Sequence, residues 1–341
     1  MTIEVPVLRL GTAGYTEAQE KQASAAAEVA SSLRARWELS AFADADAWWL
    51  EGSRTVLLPN EYLRVQPAVA TERSVQLALA DVDRPVAFSI PISAPGFKPG
   101  VVFQLSDQDA AARVLHQFAD WMKVKLSQFA LASSITNNQP SLGAGSWEVL
   151  RGGDLLAVVD LNLGAGVMPG VTPKDLAEAS WCIRNLGAVT IPASYSRVSV
   201  SLLMWQYAQR TVRDLLPPHY RTKALYFRRP PRLPQRQLKD AHLLIIRELA
   251  ANPGMDFVGL QQATGLGAEP LSRVLFALYV VGSITSNPKR AAAVGPRLPA
   301  DPTSGSTQGA FQSELDSAPR TSDLPSHPIN DMTAPLPLMR D

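Results

Sequence analysis

"GLQQATGLGAEPLSRVLFALYVVGSI", residues 259–284, sets out a short helix, a glycine-broken turn, a second helix and the start of a strand. Glu269 followed by Pro270 marks the start of the second helix, because a first turn has no use for the donor that proline lacks. Upstream, "LKDAHLLIIRELAAN" carries Leu243, Leu244, Ile246 and Leu249 on one side, so a further helix precedes the pair. With Leu271, Val274, Leu275 and Leu278 facing a core, the outward set becomes Ser272, Arg273, Phe276, Tyr279 and Val280.

This order of elements, over 236–287, resembles bacterial winged-helix modules, which implies either DNA reading or protein contact through the last helix. Charge separates the two uses. A reading helix needs Arg, Lys, Asn or Gln on its outer face, and only Arg273 qualifies. Between Leu238 and Asn287, three bases stand against four acids. A net-negative module lacks the usual anchor on phosphate. The patch of Arg273, Phe276, Tyr279 and Val280 therefore fits a protein partner better than a duplex.

Just upstream, residues 219–237 hold Arg221, Lys223, Arg228, Arg229, Arg232 and Arg236 with no acid, interleaved with Tyr220, Tyr226 and Phe227. Lys289 and Arg290 come after the strand. Such a strip suits a phosphate backbone and supports a second reading, a DNA-binding regulator. Within it, Arg228 and Arg232 form R-x-x-x-R, similar to the arginine motif with which PilZ domains grip cyclic di-GMP. The segment that should come after that motif is missing. The nearest match, "DLNLGAG" from Asp160, precedes the arginines and lacks the serine. A cyclic-dinucleotide effector is the third reading.

Residues 1–133 read as an α/β domain with a mostly parallel sheet. "IEVPVLRL" is a strand, residues 16–37 a helix with Ala26, Val29, Ala30, Leu33 and Trp37 on its apolar side, and "WELSAF" strand two. "RTVLLP" is expected as a buried third strand, "SVQLALADV" as a helix and "RPVAFSIPI" as strand four. A long helix over 106–133, with Ser106 as cap, closes the domain. This order resembles a response-regulator receiver domain. The resemblance implies an acidic pair after strand one for Mg²⁺ and a phosphorylated Asp ending strand three. Strand one has no carboxylate until Glu17, and Asn60 comes after "LLP", so the expectation is a degenerate, receiver-like domain.

Residues 146–235 read as a small α+β domain: a hairpin turning at "GGD", a helix over 172–186 capped by Thr172 with Pro173 in its first turn, and a helix from Ser196 stopped by Pro217. Rich in Pro, Ser, Thr and Asp, 288–341 reads as a disordered tail.

Chemistry is scarce in this pattern. The four histidines are dispersed, the glycine clusters fit turns better than phosphate loops, and no G-K-[ST] or G-x-S-x-G occurs. The lone Cys182 reads as a buried thiol inside a helix, and Asp44 and Asp46 as a solvated turn. No catalytic, cofactor or metal residue is expected. One cysteine excludes an internal disulfide. A net charge of +1 advertises no polyanionic or membrane partner. No apolar run approaches a membrane span and no leader is visible, so the protein is expected in the cytoplasm. The expected function is that of a non-catalytic signalling or regulatory adaptor with a protein partner.

Overall fold

Thr16 accepts the Gln19 amide and Gln19 answers the Thr16 N–H, a capping box that starts α1 (Glu17–Ala30) after β1 (Val7–Ala13). In this computed structural model residues 3–292 are described, apart from 70–72, 94–96, 139–141, 143–144, 161–163, 185–189 and 235–236. The expected tail, 288–341, thus lies outside the described residues beyond Ala292, as does Arg236.

β2 (Arg36–Ser40), β3 (Ala47–Glu51), β7 (Val86–Ser89) and β8 (Val102–Phe103) join β1 in a fully parallel sheet of order β2-β1-β3-β7-β8. Alternation along β3 divides its tryptophans between the two faces. Trp49, with Leu8, Leu10, Trp37 and Phe103, packs under α1 and α2 (Gln108–Trp121). Trp48, with Leu50 and Phe88, meets Leu63 and Val65 on the other side. Those last two belong to an antiparallel sheet of β4 (Thr55–Leu58), β5 (Tyr62–Val65) and β6 (Val75–Ala78), inserted between β3 and β7.

Several expectations change here. "RTVLLP" supplies β4 of the inserted sheet, and the third parallel strand is "AWWLE". "SVQLA" is strand β6, since register against β5 overrides its helix-forming residues. The buried side of α1 is Ala23, Ala26, Ala27 and Ala30, while Val29 and Leu33 lie in solvent. Small alanines let the helix sit close on the sheet. The long helix is two: Asp107 caps α2, and the chain turns at Met122 into α3 (Lys123–Asn138).

The middle sheet is antiparallel, of order β12-β9-β10-β11-β13, from β9 (Ser146–Arg151), β10 (Asp154–Asp160), β11 (Gly164–Val167), β12 (Ser180–Arg184) and β13 (Ser196–Val198). The β9–β10 turn needs positive φ at Gly152 (59°) and Gly153 (98°), as the sequence foretold. Thr172 and Pro173 do start a helix, but α4 (Pro173–Ala177) is short, and Ser180–Arg184, expected as its continuation, form edge strand β12. Cys182 is consequently exposed, not buried. Likewise β13 precedes α5 (Val200–Arg210) where one helix was expected.

The strip 219–237 opens with a helical turn, α6 (His219–Thr222), before β14 (Tyr226–Phe227). α7 (Asp240–Ala251), α8 (Phe257–Thr264), α9 (Ala268–Val280) and β15 (Ile284–Thr285) then come in the foretold order, with β15 antiparallel to β14. One apolar core runs from Phe129 through Val159 and Trp205 to Leu275 and Ile284, crossing the expected boundary at 235–236 without a break. Among the described residues no helix is long and apolar enough to cross a membrane.

Candidate functional site

α9 has less free surface than its sequence suggests. Leu271, Leu275 and Leu278 are buried as expected, but so are Ser272, Phe276 and Val280. The cause is α5, which packs along α9 and is itself buried at Leu203, Met204, Trp205 and Tyr207. Phe276 and Val280, expected outward, therefore belong to the core. Tyr279 is half-buried, its ring edge-on to Tyr220 at 4.9 Å. Arg273 is half-buried too and pairs with Glu269 at 2.8 Å.

The basic strip divides into engaged and unengaged members. Arg221 pairs with Asp214, donates to Ser272 Oγ at 2.7 Å and lies over the Phe257 ring. It is a structural tie between α6 and α9. Lys223 is exposed. Beyond β14, the Arg228 N–H donates to Ser283 O at 2.8 Å, and the Arg229 guanidinium lies beside Gly282, whose φ is +68°. Burial, with Arg228 and Arg232 nearby, lowers the Arg229 pKa, and no carboxylate contributes. Lys289 and Arg290 are exposed in the turn Pro288–Arg290 just past β15. The hairpin thus gathers an acid-free basic wing from both sides of the module. Asp160, the PilZ-like candidate, is buried in β10 and accepts from Ser146 Oγ.

At the C-terminal strand ends of the parallel sheet, where open α/β sheets receive ligands, one carboxylate is buried. Glu51, not Asn60, ends the third parallel strand; Asn60 lies in the turn Pro59–Glu61 after β4. The buried Glu51 carboxylate accepts from Gln19 Nε2 (3.1 Å), Ser53 Oγ (2.8 Å) and Ser89 Oγ (2.5 Å). A Cβ on Gly52 would stand 2.2 Å from Ser89 O, so the chain needs glycine where it passes Ser89.

The densest constellation lies where the N-terminal layer meets α5 and α7. Asp46 accepts from Arg210 Nη2 at 2.6 Å and from the Arg9 N–H at 3.2 Å. Burial pushes its carboxyl upward, but Arg210 and the Arg9 amide outweigh that and hold it below the usual range. Arg9 Nη2 donates to Gln209 O, 200 positions along the chain. Glu4 accepts from Tyr207 OH (2.6 Å), Ser133 Oγ (3.1 Å) and Thr211 Oγ1, with Arg213 at 3.8 Å. Burial and then Glu4 push the Tyr207 phenol up to about 12. Asp44 pairs with Lys239 at 2.6 Å. Neither Asp44 nor Asp46 is in a free turn.

Behind this seam sits His242, buried, its ring 4.5 Å from Trp205. Nδ1 accepts the Lys239 N–H at 3.2 Å, and Nε2 lies 3.0 Å from Gln209 Nε2. Burial, then Lys239, lowers its pKa to about 4. A groove of about 990 Å³ opens at the seam's edge between Ile3, Leu33, Val212 and Arg213. Among the described residues no three His, Cys, Asp or Glu side chains gather as a metal site would require. Sequence reading missed the seam altogether. The one hint was a pair of acids, Asp44 and Asp46, directly before an apolar "AWWL" that had to be covered.

Comparison with protein-family models, with curated proteins and with solved structures gives no match for this chain.

Proposed function

We propose that this chain is a non-catalytic regulatory protein acting through contact with a protein partner, and that the charged seam is the element such contact sets. The observation carrying this is the separation of the apolar cores: those of the N-terminal layer are distinct from the one that holds α5 and α9, and Glu4, Asp44 and Asp46 bridge to Arg213, Lys239 and Arg210. A polar junction between packed units is where relative motion is expected. A partner that prefers one arrangement shifts it by its difference in affinity for the two.

Asp46→Asn tests the reading. It leaves Arg210 buried without its counter-charge, which costs about 1–3 kcal/mol. Amide exchange should rise at β1 and the end of α5 but not in α8 or α9. Capture from host extract should then retain the partner in amounts changed about ten-fold, the equivalent of about 1.4 kcal/mol. An opened seam with unchanged capture sinks the proposal.

One observation favours the second reading, a nucleic-acid contact: the acid-free wing holding Arg228, Arg229, Arg232 and Lys289. Because α9 is covered by α5, such contact would run through the wing and the phosphate backbone, without base reading by the helix.

A further inference from the structure

Five of the bases around the β14–β15 hairpin differ from the other basic side chains of this half of the chain. Lys223, Arg228, Arg229, Arg232 and Lys289 make no ion pair with a carboxylate among the described residues, whereas Arg210, Arg213, Arg221, Lys239 and Arg273 all do. The chain passes out of the described structure beside these bases: the Ala292 N–H donates to Phe227 O at 2.9 Å, next to Arg228. The C-terminal segment has the opposite sign. From Asp301 to Asp341 the sequence carries six acids and two arginines.

We propose that the acidic segment 301–341 docks on the basic wing of its own chain. Residues 293–300 extend to at most about 25–29 Å, so Asp301 can reach any base around the hairpin within that radius. Tethering sets an effective concentration on the order of millimolar, which an untethered anion must exceed to compete. Single exposed ion pairs contribute little, so the contact is collective, drawn from several weak pairs, and labile to salt. It occupies the surface that the nucleic-acid reading would use and so regulates that surface. The contact itself rests only on the wing's charge.

Carbodiimide coupling on the full chain tests this, with Lys223 as reporter because it lies far in sequence from the acids. Amide links from Lys223 to Glu314, Asp316 or Asp323 should form at about 20 mM salt and fall about ten-fold at about 500 mM. They should fall as much in the double variant Arg228→Gln, Arg232→Gln, whose folding is checked by circular dichroism. Links that survive both changes, or that never form in the unaltered chain, overturn the proposal. A duplex titration of the variant Glu314→Gln, Asp316→Asn, Asp323→Asn keeps the two readings apart. If the links behave as expected and this variant still binds no duplex, the tail contact stands and the nucleic-acid reading falls.

Discussion

Between α5 and α9 the chain is joined by Leu203, Trp205, Phe276 and Leu278 in one dry core. Between the N-terminal layer and the same α5 it is joined by Asp46 on Arg210, Arg9 on the Gln209 carbonyl and Glu4 on the Tyr207 hydroxyl. Apolar contact weakens little with salt and depends on close fit. Charged contact depends on having both partners, and its exposed members are screened. A single helix thus makes an apolar joint on one side and a charged one on the other. The difference predicts which mutations unfold the body and which only loosen the layer.

The largest effect is expected at Phe276→Ala. The sequence placed this ring on the surface, where truncation changes stability by at most about 0.5 kcal/mol. Buried in the α5–α9 joint, its loss should cost about 3–5 kcal/mol in denaturant unfolding. A cost near zero would return the residue to the surface and dissolve the contrast between the joints.

Next in size is a pH effect at His242 of α7, whose ring lies against Trp205 of α5. His242 has an unfolded pKa near 6.5 and a folded one lowered to about 4, so folding requires the neutral ring. The unfolded chain takes up the proton first, and stability is lost as pH falls from about 6.5 towards 4. The full loss is about 3 kcal/mol. Asp46, held low by Arg210, gives up its contribution only below the ordinary Asp range, so the upper window belongs to His242. Unfolding midpoints measured from pH 7 to 4.5 should slope downward in the native chain and flatten in His242→Gln. A flat native profile would mean that the ring is hydrated or already charged.

How much of the fold was legible in the sequence depends on how local each signal is. Thr172 with Pro173, the Gly152–Gly153 turn and the three helices from Asp240 to Val280 are written within a few residues of where they act. Phe276 looks outward in the sequence because its cover, α5, lies more than sixty residues upstream, and helical periodicity describes one face and not its neighbours. β6 and β12 look helical in the sequence for a related reason: Val75–Ala78 and Ser180–Arg184 become strands only once β5 and β9 offer a register. The third parallel strand hid behind Asp44 and Asp46. Two nearby acids look like a solvated turn until Lys239 and Arg210, from the far half of the chain, are brought beside them. Ion pairs of that span leave no mark in one dimension.

The smallest expected effect tests whether burial, and not charge alone, grades the seam. Asp46 and Arg210 are 9% and 17% exposed, while Asp44 and Lys239 are 50% and 43% exposed. Both pairs stand at 2.6 Å, so geometry does not distinguish them. Water does: it has already weakened the Asp44 pair and holds its partners nearly as well when they part. Asp44→Asn should therefore cost about 0.2–1 kcal/mol at low salt and nothing measurable near 1 M, where the screening length falls to about 3 Å. The cost of Asp46→Asn should persist there, since Arg210 is left in a place that salt does not reach. Equal costs for the two, with equal salt dependence, would make the seam a uniform surface contact, with no closed inner pair for a partner to open.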